Sequence, residues 1–284
     1  MLQQLPAAFP RPGARQLIDN ERVAVWDVAW EKARPTPMFQ NPLDMVTVDL
    51  ENAEVRVSGA KGKPKSVSFK VGQAGFILKG TSQMEEGTSD PSRHAIVVEL
   101  KDVIVQPLTY NSAFPDAFPR EGAIKLLNNK RVTVWDYTWT KGSPTLMHFH
   151  TKDVVVVYFL SGEVRSSAID GSITINKVEP GQVRFNARNR THTEELLKGA
   201  SRAIIVSTSR SAMTLLRLYA PTAAVSDKGT FSSAGRPSAP SASVATLLVY
   251  TTRSTPAESA ARITVRVPST LVCTIASRSR AQRR

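Results

Sequence analysis

The sequence predicts an all-β protein made of two barrels in tandem. Short apolar stretches with period-two alternation recur about every ten residues, and turn residues separate them. No window carries a sustained apolar stripe at helical spacing. Residues 8–100 read again as residues 117–209, at a constant spacing of 109 positions and without a gap. Two all-β repeats of this length favour two β-sandwiches or β-barrels along one chain.

The repeat is clearest in three segments. AFPRPGAR at 8–15 returns as AFPREGAI at 117–124, ERVAVWDVAW at 21–30 as KRVTVWDYTW at 130–139, and GQAGF at 72–76 as GQVRF at 181–185. One copy therefore serves as a control for the other. A residue shared by both copies is expected to serve the fold, whereas a residue that differs can serve a site in one of them.

The elements of the second copy follow in order along the chain. We expect strands at 131–139, 153–160, 163–169, 172–178, 183–188 and 202–208. Asp170 and Gly171 form the tight turn between the third and fourth of these strands, since Asp-Gly favours a two-residue hairpin.

The composition divides the chain into three parts. We predict an N-terminal barrel over residues 1–106, a second barrel over 107–219 and a tail over 220–284. The tail is rich in Ala, Ser, Thr, Pro and Arg and poor in acids, so we expect it to be largely disordered. Its patches LLVY and ITVRVPSTLV are able to form strands but match nothing in the repeats.

The basic charge lies mainly in the tail. The net charge is +13, and residues 221–284 contain nine Lys or Arg against Asp227 and Glu258, a net +7. The repeats are mildly basic and show no nucleic-acid-binding motif, so we expect no nucleic-acid partner for the barrels. A tail that contacts polyanions stays an alternative.

The cysteine count and the amino terminus bear on the compartment. Cys273 is the single cysteine, which excludes an internal disulfide and any cysteine-based metal cluster. The sequence has no signal-peptide pattern and no run of about 20 apolar residues. We expect a cytoplasmic protein without membrane contact. Barrels with exposed edge strands often pair, so a homodimer is plausible.

Three histidines distinguish the second copy from the first. His148, His150 and His192 stand opposite Phe39, Asn41 and Gln83 in the repeat alignment. Strand alternation places His148 and His150 on one face, and His192 opens a later strand. We predict that they hold one divalent metal ion, Fe²⁺, Mn²⁺, Ni²⁺ or Zn²⁺. Three unrelated polar histidines are the alternative. His94 aligns with Ala203, and we expect an ordinary surface or turn role for it.

On these motifs the chain resembles the cupin superfamily and its tandem form, the bicupins. The family's first motif, G-x5-H-x-H-x(3,4)-E-x6-G, is matched by Gly142, His148, His150 and Gly162. The second, G-x5-P-x-G-x2-H-x3-N, is matched by Gly181 and His192, with Ala187, Asn189 and Leu196 at the other marked positions. The resemblance implies cupin-type β-barrels, that is, double-stranded β-helices. Asn189 replaces a glycine and is among the few residues that tolerate positive φ.

One departure from the motif matters for the metal. Val155 stands where the resemblance implies a metal-binding glutamate, which leaves three nitrogen ligands. Asp153 is the nearest substitute and a candidate catalytic residue. Asp44 occupies the same place in the first copy, so a turn-capping role for this carboxylate is the alternative.

The comparison of copies sorts the remaining polar residues. Glu194 and Glu195 face Glu85 and Glu86 and are therefore expected to be structural. The same reasoning assigns packing and strand-positioning roles to the repeated residues Trp26, Asp27, Trp30, Trp135, Asp136 and Trp139. By contrast, Tyr158 faces Asp49 and Arg184 faces Gly75, so these differences accompany the histidines.

These differences suggest roles. We regard Tyr158 as a second candidate catalytic residue. Arg184 is a candidate to bind a substrate carboxylate, on one strand face with Asn186 and Arg188. A solvated strand face is the alternative for Arg184.

The histidine set indicates a function class. A three-histidine site leaves coordination positions open for substrate, water or dioxygen, which favours catalysis over a closed structural site. By resemblance to three-histidine cupins, the leading hypothesis is a metal-dependent oxygenase acting on a small organic acid, thiol or diketone; isomerisation or hydrolysis is also compatible. The alternatives are a non-catalytic bicupin that binds or senses a small molecule, and a structural bicupin without metal.

Overall fold

A computed structural model describes residues 4–103, 108 and 113–208 and two short strands beyond them. Within these ranges all regular structure is β, as the sequence predicts. Among the same residues, no helix has the length and apolarity to cross a membrane. The chain divides into a compact unit of residues 1–221 and a second unit of residues 222–284.

The first repeat forms two facing sheets. Its strands are β1 (Ala14–Asp19), β2 (Val23–Ala29), β3 (Phe39–Gln40), β4 (Asp44–Asp49), β5 (Ala53–Gly59), β6 (Lys65–Phe69), β7 (Ala74–Ile77), β8 (Ser82–Gly87) and β9 (His94–Leu100). One sheet has the order β1-β2-β9-β4-β7 and the other the order β3-β8-β5-β6.

The second repeat reproduces this arrangement strand for strand. Its strands are β10 (Ile124–Asn128), β11 (Val132–Trp139), β12 (His148–Phe149), β13 (Val154–Tyr158), β14 (Gly162–Ala168), β15 (Ile173–Val178), β16 (Val183–Asn186), β17 (Thr191–Gly199) and β18 (Ser201–Thr208). The sheet orders are β10-β11-β18-β13-β16 and β12-β17-β14-β15. The repetition of sequence is therefore a repetition of fold.

The strands and turns predicted from the sequence are confirmed within about two residues. At the predicted hairpin, the backbone N–H of Ser172 donates to Asp170 Oδ1 over 2.9 Å, and Gly171 has φ 84°. Asn189 has φ 66°, the left-handed conformation anticipated for this position.

The gap-free alignment is wrong at one point. Ala29 pairs with His94 in the first repeat, whereas its equivalent Thr138 pairs with Arg202 in the second. The last strand of the second repeat therefore begins one residue earlier, so His94 corresponds to Arg202 and not to Ala203. Side-chain contacts support this shifted correspondence, because His94 Nε2 lies 2.6 Å from Asp27 while Arg202 binds the equivalent Asp136. A tight turn at Gly199, with φ 71°, joins the two strands there.

Each barrel has an apolar cluster in its interior. The interior of the second barrel is built from alternate residues of the five-stranded sheet and from three residues of the opposite sheet. The members are Trp135, Tyr137, Trp139, Val154, Val156, Tyr158, Ala203 and Ile205, with Val164, Val178 and Leu196 opposite. Phe118 stacks on Trp135 at 5.3 Å, as Phe9 stacks on Trp26 at 5.0 Å. These contacts support the packing role expected for the tryptophans.

A third core joins the two barrels. The other face of each five-stranded sheet packs against its counterpart from the other repeat, so both faces of these sheets are buried. The contacting residues are Val23, Val25, Val46, Val48, Ile96, Val98 and Leu100 from the first repeat and Val132, Val134, Val155, Val157, Ile204 and Val206 from the second. A strand buried on both faces reads as a continuous apolar run, which explains the four consecutive valines of β13.

Two equivalent ion pairs flank this core. Arg22 lies 2.7 Å from Asp153, and Arg131 lies 3.1 Å from Asp44. Arg131 is the repeat equivalent of Arg22, and Asp153 is that of Asp44, so each repeat gives the other the same contact. Such reciprocity is the signature of a two-fold, isologous interface.

In the unit of residues 222–284 the described strands are β19 (Val244–Leu248) and β20 (Arg262–Arg266), which pair antiparallel. They overlap the two apolar patches noted in the tail. The disorder predicted for the remainder of the tail concerns residues outside the described ranges, as does Cys273.

Candidate metal centre

Two strand ends bring the three histidines together. His148 on β12 pairs with His192 on β17, and His150 follows β12 on the same side as His148. All three side chains are buried. One ring nitrogen from each lies within 4.8 Å of the others, and the Nε2 atoms of His150 and His192 are 3.0 Å apart. Two ligands about 2.1 Å from one ion at right angles are separated by about 3.0 Å.

Neighbouring groups orient two of the rings. His148 Nδ1 lies 2.9 Å from the carbonyl oxygen of Leu146, so this nitrogen carries the proton and Nε2 carries the lone pair. His192 Nδ1 lies 2.8 Å from Ser166 Oγ. His148 Nε2 is buried without a hydrogen-bond partner. An orphaned imidazole nitrogen facing two others fits a metal ion as its missing partner.

The environment keeps the rings neutral. Burial lowers the pKa of His148. Burial, with the nearby positive charge of Arg190, lowers the pKa of His150 to about 2. Burial also lowers the pKa of His192 to about 4. Neutral imidazole is the form that binds metals, so no proton has to leave these rings at pH 7.

The first barrel carries a different set at the same place. Phe39 pairs with Gln83 as His148 pairs with His192, and Asn41 lies buried at the third position. The histidine triad is the one group of three or more potential metal-binding side chains in the part of the chain that the structure describes. The asymmetry predicted from the sequence therefore extends to the geometry.

Val155 lies elsewhere than the motif suggests. Its side chain is fully buried in the core between the barrels, so it faces away from the barrel interior. Val154 is the adjacent residue that faces the interior. Neither valine offers a ligand atom, so β13 supplies none at this end of the barrel.

Asp153, a candidate catalytic residue from the sequence, is held at the interface between the repeats. Its Oδ1 accepts a hydrogen bond of 2.9 Å from the backbone N–H of Arg188, and its Oδ2 faces Arg22. These contacts favour the structural alternative and explain why Asp44 occurs at the same place in a repeat without histidines.

Tyr158, the other catalytic candidate, does lie inside the second barrel. Its ring is 7% exposed and stacks on Trp139 at 6.2 Å between centroids. Burial, together with the charge of Glu194, raises the pKa of Tyr158 to about 12. The phenol is therefore protonated at neutral pH and available as a hydrogen-bond donor rather than as a base.

Arg184 reaches β15, the edge strand of the opposite sheet. Its Nη1 donates to Asn176 Oδ1, and its Nη2 donates to the carbonyl oxygen of Lys177 over 2.8 Å. The guanidinium lies 6.0 Å from the ring centroid of Tyr158. Strand β16 ends at Asn186, so the face shared with Arg188 is shorter than expected. Substrate binding by Arg184 stays a prediction, and part of its donor set serves the sheet.

Arg190 is a residue that the sequence reasoning missed. Its positive charge acts on His150, Tyr158 and Glu194, and its Nε donates to the carbonyl oxygen of Ala187 over 2.7 Å. Thr81 occupies the equivalent position in the first copy. This difference accompanies the histidines, and it was available from the repeat alignment.

Glu194 lies beside the triad although the sequence reasoning assigned it a structural role. Its Oε1 is 4.0 Å from His192 Nε2, and its Oε2 accepts hydrogen bonds from Trp139 and Arg120. Burial alone would raise the pKa of Glu194, but the nearby guanidinium of Arg120 lowers it to about 2. An ionised carboxylate therefore borders the site.

A cavity of about 610 Å³ reaches the triad at His148. Arg120, Tyr137, Pro144 and Leu146 line it. This volume lies in the range of pockets that hold small organic molecules.

Comparisons with known proteins support the fold. No protein-family model matches the sequence, and no curated protein matches it. Among solved structures, a single-residue variant of Bacillus subtilis oxalate decarboxylase aligns with a TM-score of 0.51 and 13% identity, over 69% of this chain and 72% of that chain. A four-residue variant of the same enzyme gives the same values.

A further match is a cupin 2 conserved barrel domain protein from Leptotrichia buccalis, with a TM-score of 0.43 and 13% identity, over 69% of this chain and 88% of that chain. Identities this low concern the fold alone. The two alignments with a TM-score of 0.51, together with the strand order, show that the two repeats have the cupin-type β-barrel fold.

Proposed function

We propose that the second repeat binds one divalent metal ion through His148, His150 and His192 and uses it in catalysis on a small organic acid. The observation that carries this proposal is the convergence of three buried, neutral imidazoles, one of which has an orphaned Nε2. When bound, the ion supplies a Lewis-acid or redox centre with open coordination positions.

The surrounding residues have separate tasks in this proposal. Ser166 and the carbonyl of Leu146 fix the ring orientation of His192 and His148, as outer partners of metal ligands do. The apolar barrel interior excludes bulk water from the site. Tyr158, protonated at neutral pH, is available to donate a hydrogen bond to a bound oxygen atom.

The charge around the site supports an anionic substrate. Arg190 acts on the triad from the side of His150, whereas Arg120, which lines the cavity, is paired with Glu194. A carboxylate group is the small-molecule feature that a guanidinium binds best. Oxygenation is the leading reaction class, and we do not assign the metal among Fe²⁺, Mn²⁺, Ni²⁺ and Zn²⁺.

Turnover by the metal-loaded protein tests this function. The protein is loaded separately with each of the four ions and incubated in air with small mono- and dicarboxylic acids, 2-oxo acids, a thiol acid and a 1,3-diketone. Oxygen uptake and product formation by NMR are followed. We expect turnover of at least one acid, lost in His148→Ala. Metal binding without turnover of any compound would contradict catalysis.

Binding or sensing without turnover is the second candidate. It is favoured by the state of the two predicted catalytic groups, since Asp153 serves an ion pair and the phenol of Tyr158 is a poor base. Saturable binding of an acid to the metal-loaded protein, with the acid recovered unchanged, would favour this reading. Under both candidates the first barrel is a scaffold.

A further inference from the structure

One carboxylate occurs at the same place in both barrels. Glu85 in the first repeat and Glu194 in the second each accept two hydrogen bonds through Oε2. The donors are Trp30 at 2.8 Å and Arg11 at 3.2 Å for Glu85, and Trp139 at 3.2 Å and Arg120 at 3.0 Å for Glu194. Because these donors are repeat equivalents, Oε2 does the same structural work in each barrel.

The other oxygen, Oε1, has different partners in the two barrels. In the first barrel Gln83 Nε2 donates to Glu85 Oε1 over 2.8 Å, and Arg93 Nη1 lies 4.0 Å from it. His192 replaces Gln83 in the second barrel. Ser201 replaces Arg93, since it pairs with Trp139 where Arg93 bonds to Trp30. No hydrogen bond reaches Glu194 Oε1 within the described part of the chain.

The atom that now faces Glu194 Oε1 is a ring nitrogen. His192 Nε2 lies 4.0 Å from it, while His192 Nδ1 is engaged with Ser166. A carboxylate oxygen and an imidazole nitrogen therefore face each other at a distance too long for a hydrogen bond. A cation between them could bind both, since two ligands about 2.1 Å from one ion can lie up to about 4.2 Å apart.

The exchange of Arg93 for Ser201 also removes a positive charge. The Arg93 guanidinium is 2% exposed, lies over the ring of Phe69 at 3.6 Å and pairs with Asp49 at 2.7 Å, so it fills the interior of the first barrel. In the second barrel Ser201 Oγ is buried without a hydrogen-bond partner. Tyr158, which replaces Asp49, stacks on Trp139 at 6.2 Å, whereas the Arg93 guanidinium lies over the equivalent Trp30. The repeat that carries the histidines therefore lacks this positive charge.

We propose that Glu194 is the fourth ligand of the metal, through Oε1. It supplies the oxygen ligand that neither Val154 nor Val155 can provide, and it does so from β17, the strand that carries His192. The same carboxylate thus faces a guanidinium in the first barrel and a metal ion in the second. This inference rests on the proposed metal site.

The test replaces the charge while keeping the shape. In Glu194→Gln the amide keeps an oxygen for Trp139 but loses the anionic ligand. We expect the affinity for Co²⁺, measured by competition with a chromophoric chelator, to fall at least about 10-fold. We also expect the visible d–d absorption of bound Co²⁺ to change. Glu85→Gln is the matched control, and it should leave both readouts as in the wild type.

A second variant makes the second barrel resemble the first. Ser201→Arg gives the second barrel the guanidinium that Arg93 supplies in the first, and we expect it to abolish Co²⁺ binding while circular dichroism shows an intact β fold. Ser201→Ala should bind Co²⁺ normally.

The outcomes distinguish ligation by Glu194 from the existence of the metal site. An unchanged affinity in Glu194→Gln would overturn ligation by Glu194, and so would a reduced affinity with the wild-type Co²⁺ spectrum. Normal Co²⁺ binding by Ser201→Arg would overturn it as well. In each of these cases the three-histidine site would stand. Failure of the wild-type chain to bind Co²⁺ would instead overturn the metal site itself.

Discussion

Arg22 Nη2 lies 2.7 Å from Asp153 Oδ2 and joins the first repeat to the second beside the core between them. The Asp153 side chain is 5% exposed and that of Arg22 is 17% exposed. The carboxylate that the sequence marks as a candidate catalytic group is therefore part of a reciprocal interface. The equivalent pair in the other direction is Arg131 with Asp44.

Removing Arg22 should destabilise the protein. Arg22→Ala leaves the carboxylate of Asp153 buried without its cation, which costs about 3 kcal/mol in comparable buried pairs. The free energy of unfolding from urea titration is the measurement. Arg15→Ala is the control, because Arg15 is 74% exposed and surface pairs contribute about 1 kcal/mol or less. Equal losses of unfolding free energy in both variants would show that the interface pair stabilises the protein no more than a surface pair does.

Asp153→Asn should lower the stability of the protein without affecting the metal site. We expect a lower unfolding free energy for the same reason, with metal content at the wild-type level, since Asp153 contacts Arg22 and Arg188 rather than the triad. Metal analysis of the purified variant checks this. Loss of the metal from a folded variant would restore Asp153 as a member of the site.

Glu99 should make stability depend on pH. Burial raises the pKa of its carboxyl group, to which Trp26 Nε1 donates a hydrogen bond of 2.8 Å. A raised carboxyl pKa means that ionisation is less favourable in the folded state. The resulting loss of stability is therefore present at pH values above the folded pKa and disappears below the ordinary value of 4.5.

Glu99→Gln removes this cost and keeps an acceptor for Trp26. We expect the variant to be more stable than the wild type at pH 8 and to lose that advantage as the pH falls towards 4. Urea midpoints at both pH values measure it, with the exposed Glu51→Gln as the control. A variant less stable than the wild type at pH 8 would contradict the argument.

A chain that ends after Ala220 should fold. The unit of residues 1–221 contains all strands of both barrels, so the truncated chain keeps both interiors and the core between them. We expect a β-type circular dichroism spectrum and a cooperative thermal transition. An insoluble fragment from a soluble full-length chain would show that the barrels need residues 221–284.

The sequence predicted the fold and the histidine triad because both depend on local patterns. Period-two alternation marks strands, and the second copy shows which residues the fold alone requires. The valine run of β13 was less informative. When both faces of a strand are apolar, alternation cannot tell which face is the barrel interior, so the orientation of Val155 was not predictable. The ion pair of Asp153 crosses between repeats and has no local signal.

Glu194 shows a limit of comparing the two copies. A residue present in both barrels was expected to be structural, and the Oε2 atom of this glutamate does have a structural role. A carboxylate has two oxygens, however. Oε1 has a different neighbour in the second barrel, because His192 replaces Gln83 and Ser201 replaces Arg93. The signal lay in the residues around the glutamate rather than in the glutamate itself.

Elemental analysis of untagged protein ending at residue 220 tests the central claim most directly. The comparison is with His148→Ala/His150→Ala, and Asn41→Ala is the matched control in the first repeat. The account predicts about one equivalent of iron, manganese, nickel or zinc in the wild type and in Asn41→Ala, and none in the histidine variant. Equal metal content in all three proteins, or no metal in any of them after reconstitution, would contradict it.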